Sequence, residues 1–102
     1  MKQLAQGDVL LVRVTSIPAK AVEVPRDGGR VVLAYGEVTG HSHGISDMKV
    51  RMMRFAGMDY LDVGTTVTLK HEEHAPVTIA PGKYSVVRQR EYAYGGTRKV
   101  AD

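Results

Sequence analysis

Along this chain apolar residues recur at every second position and seldom at every third or fourth, and each such run is cut short by turn chemistry. A side chain in an extended segment alternates between faces, so this pattern describes half-buried strands and leaves no long amphipathic helix. Asp8 to Thr15 is rich in Val and Leu, and Ile17-Pro18 ends it, because proline removes a ladder donor and restricts the residue before it. Residues 16–29 read as a loop closing on Arg26-Asp27-Gly28-Gly29, a turn word, after which Arg30 to Thr39 resumes strand composition. Lys49 to Ala56 and Met58 to Val63 flank Gly57, Thr65 to His71 and Ala75 to Ala80 form a hairpin, and Lys83 to Tyr94 follows the Pro81-Gly82 turn. Seven or eight short strands in so small a chain predict an all-β fold, a single antiparallel β-barrel or sandwich, because only closure or stacking buries their apolar faces. Residues 1–94 are expected to form this one domain, and Gly95-Gly96 releases residues 95–102 as a flexible basic tail.

The chain has 102 residues and no cysteine, which removes both disulfides and thiolate metal sites. No apolar run is long enough for a transmembrane helix, and the first eight residues lack the apolar middle of a signal peptide, so a cytoplasmic protein with no membrane partner is expected. Met48, Met52, Met53 and Met58 lie in or beside strands with Val50 and Phe55 and read as core filler. The net charge of +3 is concentrated late: residues 83–102 carry 5 basic and 2 acidic side chains. Arg88, Arg90 and Tyr92 in that stretch are candidates to bind a small anionic molecule or a nucleotide by charge and stacking.

All four histidines fall in two tight pairs, His41-Ser42-His43 and His71-Glu72-Glu73-His74. Imidazole and carboxylate together suit a divalent transition metal such as zinc, iron, manganese or nickel, provided the fold brings the two clusters together. Counting by two from Val31 leads to His41 and His43, and from Val67 to His71 and Glu73, so a strand running through Gly40 would aim both clusters at one mouth of the domain. The expected metal ligands are His41, His43, His71 and His74. Three protein ligands would leave a place for water, with Glu72 or Glu73 as general base, whereas four would make the ion a structural staple. Two other readings use the same residues. In one, facing histidines act as an acid and base pair on a phosphodiester without metal, helped by Arg88 and Arg90. In the other, the chain is an assembly module, and a homo-oligomer is expected.

The spacing His41, His43, Asp47 followed by His71 or His74 resembles the ligand pattern of cupins, small metal-binding barrels. That resemblance implies a metal bound by the histidines, with Asp47 standing where the family carries glutamate. The words Gly7-Asp8-Val9-Leu10-Leu11-Val12, Gly29-Arg30-Val31-Val32-Leu33, Gly36-Glu37-Val38 and Leu61-Asp62-Val63-Gly64 are similar, in order and spacing, to the co-chaperonin-10 barrel, which would make residues 16–29 its mobile loop. In general style the chain also resembles the small uncharacterised proteins of bacteria and their phages.

Overall fold

A computed structural model of the protein describes residues 3–36 and 40–89. Ten short strands make it an all-β, sandwich-like fold and not a closed barrel: β1 (Gln3–Gln6), β2 (Val9–Val14), β3 (Val22–Glu23), β4 (Val31–Tyr35), β5 (Ser42–Ile45), β6 (Val50–Phe55), β7 (Met58–Val63), β8 (Val67–Leu69), β9 (Val77–Ile79) and β10 (Gly82–Arg88). Six of them form one antiparallel sheet in the order β1-β2-β10-β7-β6-β3, and two hairpins, β4-β5 and β8-β9, complete the molecule. β1, β3 and β5 are the strands the periodicity did not reveal, β5 reading along the chain as a continuation of the strand from Arg30. β3 has two residues, both exposed, and lies inside the 16–29 stretch, where no alternation can mark it.

Local chemistry explains the connections. Asp27 and Arg30 exchange both backbone hydrogen bonds around Gly28 and Gly29, whose φ values of 62° and 83° define the two-residue turn that matches strand twist. Arg26 donates to the carbonyls of Asp47 and Val50, and the Val24 amide to Met52, so the second half of the stretch likened to a mobile loop is strapped to β6.

The core is built from the inward-facing half of each alternation: Val9 and Leu11 on β2, Val50 and Met52 on β6, Leu61 and Val63 on β7, and Val67 and Leu69 on β8. Each such side chain contributes about 1.5–3 kcal/mol on burial, which is the favourable term that forces the two hairpins against the six-stranded sheet. Among the described residues Met52 is the only methionine in the core; Met48 is 77% exposed and Met58 46%, because they sit at turns outside the buried face. The expectation that all four fill the interior is therefore corrected.

One bridge matters most for function. Gly44 and Lys70 exchange both backbone hydrogen bonds, at 2.9 Å each, and so join the β4-β5 hairpin to the end of β8. The absent side chain leaves room there for the Arg30 guanidinium, which a Cβ on Gly44 would meet at 2.2 Å and displace.

Candidate metal centre

The antiparallel Gly44–Lys70 bridge sets the register of everything beside it. One residue further, His43 lies opposite His71, with ring centroids 4.4 Å apart. One further again, the Ser42 amide donates to Glu72 Oε1 at 2.9 Å. At the next step His41 Nδ1 lies 3.6 Å from Glu73 Oε2. The β8-β9 hairpin then turns His74 back toward its neighbours, 4.5 Å from His71 and 5.7 Å from His43, and His41 packs edge-on to His71 at 5.7 Å. All four imidazoles therefore share one cluster. They meet by a route other than the expected one: the strand from Val31 stops at Tyr35, and β5 returns antiparallel to it, with the Gly36 amide donating to the His41 carbonyl. A bulge between Val32 and Ala34 shifts the register within this hairpin, so counting by two through Gly40 does not describe it.

Within the cluster two triplets present ligand atoms that lie within 4.8 Å of one another, His43-His71-His74 and His41-His71-Glu72. They share His71, so they describe overlapping positions, one inner and one at the rim. Two donors on a tetrahedral ion lie about 3.3 Å apart, so a closing of at most about 1.5 Å per pair brings the inner triplet onto one cation.

The ring of His43 is 3% exposed, and its orientation is settled by a residue that the histidine pattern does not include. Gln6, buried at the end of β1, donates its amide to two carbonyls, Leu69 and Ala75, both at 2.9 Å. Both N–H donors are thereby used, which makes Oε1 the group facing His43 Nδ1 at 2.8 Å. A carbonyl oxygen only accepts, so His43 carries its proton on Nδ1 and, in the neutral ring, its lone pair on Nε2. That is the arrangement in which a histidine ligand is normally held, its second nitrogen donating to an oxygen behind it. In the turn after Gln6, Gly7 (φ 57°) closes over the cluster, where a Cβ would stand 2.6 Å from His74 Nε2 and 3.2 Å from His43 Cε1, and Asp8 brings Oδ1 to 3.7 Å from His43 Nε2. Gln6, Gly7 and Asp8 were missed because nothing in their local pattern ties them to histidines more than thirty positions away; Asp8 reads only as the start of a strand.

Other candidates fall elsewhere. The hydrogen bond from Ser42 and one from its own backbone amide hold the Glu72 carboxyl below the usual range, so it is an anchored anion and a weak base. Glu73 is exposed, and its amide donates to His71 Nδ1 at 3.0 Å. A cation taking His71 Nε2 therefore moves that ring's proton to Nδ1 and displaces the turn hydrogen bond. Asp47 accepts from the Lys49 amide at 2.7 Å and belongs to neither triplet, so the cupin-like carry-over to Asp47 has no counterpart here. Arg88 donates to the Leu33 carbonyl at 2.9 Å and to Asp59 at 2.7 Å, inside an ion cluster completed by Arg54. Arg90, Tyr92 and the 95–102 tail lie outside the described residues.

Fold and site together define a small antiparallel β-sandwich with a convergent histidine cluster where its two hairpins meet the β1-β2 turn. Residues 5–89 match DUF8820, a domain of unknown function, and the chain belongs to that family. No curated protein and no solved structure matches it. Among the described residues no helix is long and apolar enough to cross a membrane.

Proposed function

We propose that the protein binds a divalent transition metal through His43, His71 and His74, leaving at least one coordination position to water or a small ligand. The observation that carries this reading is the Gln6–His43 pair. A buried amide whose two donors are both spent on carbonyls holds the imidazole so that Nε2 bears the lone pair, in a ring grouped with two further imidazoles. A histidine that served only as a packed core residue would have no need of convergent neighbours. Zinc, iron, manganese and nickel all suit an imidazole set of this kind. His41 and Glu73 lie at the rim, where Glu73 would be the general base for a water on the ion; Glu72, anchored to Ser42, supports the loop that carries His71.

The direct test is elemental analysis of untagged protein together with thermal denaturation. Zinc at a hundred times its dissociation constant adds about 2.7 kcal/mol and should raise Tm by more than about 10 °C. Less than about a tenth of an equivalent of transition metal after purification, with no shift on adding zinc, nickel or manganese, overturns the reading.

A further inference from the structure

Next to the imidazole cluster, and sharing His41 with it, is an open cleft of about 360 Å³ whose wall includes Asp27, Arg30, Tyr35, Gly40 and Ser42. That volume is at the small end of ligand pockets. We propose that this cleft binds a small oxyanion-bearing molecule, a carboxylate or a phosphate, through the Arg30 guanidinium, and presents the rest of it to His41 at the rim of the metal centre.

Arg30 is the reason. Its side chain is half-buried, stacked over the bare Gly44 backbone, and aimed by a 2.9 Å hydrogen bond from Nη1 to Ser42 Oγ. Ser42 is buried, so the guanidinium is held at both its face and one edge by rigid structure. Among the described residues it forms no ion pair with a carboxylate, whereas Arg88, also half-buried, pairs with Asp59. A half-buried cation without a counter-ion retains its demand for one, and the planar guanidinium fork matches the two oxygens of a carboxylate or phosphate. Among the described residues the one carboxylate lining the cleft, Asp27, is engaged by the Tyr35 hydroxyl. That hydrogen bond, with burial and the Asp27 charge adding to it and the Arg30 charge opposing, raises the pKa of Tyr35, so the phenol stays protonated beside the incoming anion. The arrangement sorts the cleft into a cationic side next to Ser42 and His41 and a side where the Asp27 carboxylate is turned onto the Tyr35 hydroxyl.

The proposal names a ligand class for the rim of the metal centre and in that respect rests on the metal reading, but the cleft is testable without metal. Chelator-treated protein is titrated with inorganic phosphate and, in parallel, acetate at constant ionic strength, following backbone amide shifts by NMR. Saturable shifts of Gly28, Arg30, Gly40 and Ser42 are expected, weakened about tenfold or more in Arg30→Gln. Ser42→Ala, which keeps the charge and the Ser42 backbone but removes the hydroxyl that aims it, should weaken binding several-fold and guards against a folding defect in the first variant. Response to phosphate alone or acetate alone identifies the source of the oxyanion. Absence of saturable shifts with either probe, or shifts unchanged in both variants, overturns the cleft; failure to bind zinc with the phosphate response intact overturns the metal reading instead.

Discussion

Two polar clusters interrupt the apolar interior, and they are built in opposite ways. In the first, Asp59, 2% exposed on β7, receives Arg54 Nε at 2.6 Å and Arg88 Nη2 at 2.7 Å, so a buried anion is closed off by two cations, each also serving the strand that carries it. Burial pushes the Asp59 carboxyl up, but the hydrogen bonds and charges of Arg54 and Arg88 outweigh it and hold the group below the ordinary carboxylate range. In the second, four imidazoles meet with one amide behind them and carboxylates only at the edge. The first cluster satisfies itself and has nothing left to bind. The second gathers lone-pair donors onto a common point, which is useful only when something positive arrives there. Buried polarity by itself does not mark a site; what distinguishes one is whether the groups answer each other or converge.

The contrast can be broken in measurable steps. The largest effect should come from His71→Ala, which removes the ligand shared by both triplets and should cost about a hundredfold in zinc affinity by calorimetry while leaving the apo Tm nearly unchanged, since a three-histidine set has no spare protein ligand. Asp59→Asn should do the reverse: leaving Arg88 with a neutral partner should lower apo stability by about 2 kcal/mol in urea titration, with zinc affinity retained. Gly7→Ala sits between them. A Cβ in the left-handed region costs about 1–2 kcal/mol and collides with His74, so both stability and zinc affinity should fall together. The smallest effect is in pH. Asp59 is depressed in the folded state, so its contribution is fully present above about pH 4, its ordinary unfolded value, and is lost as pH falls through the lower folded value. Apo-protein denaturation followed from pH 6 downward should therefore weaken below about pH 4, and Asp59→Asn should flatten that limb.

Much of this was legible along the chain, for identifiable reasons. The Gly28-Gly29 and Ala56-Gly57 turns, the break at Pro18 and the alternation through Val50–Phe55 depend on residues adjacent in sequence, and each element formed close to where that chemistry places it. The donors too were visible, because histidines paired at His41 and His43 and at His71 and His74 advertise a ligand inventory whatever the fold. The roles of Arg88 and Gln6 were not. Arg88 reads as part of a basic late strand, but β10 pairs with β7 in a register that sets Val86 across from Asp59, and so brings Arg88 within reach of that carboxylate. Gln6 lies in a strand whose four residues show no alternation.

What the amino-acid order alone determined is therefore local: strands from a two-residue period, turns from glycine and proline, and the presence of metal-type donors. Their convergence was decided in three dimensions, by a bridge between Gly44 and Lys70 that no neighbouring residue specifies and by the β1-β2 turn folding over it. The physical reason is that pleat and turn energies act between residues a few positions apart, whereas the pairing of distant hairpins is selected by the summed burial of Leu11, Leu33, Ile45, Leu61 and Leu69 in a shared core, a quantity that belongs to the packed whole.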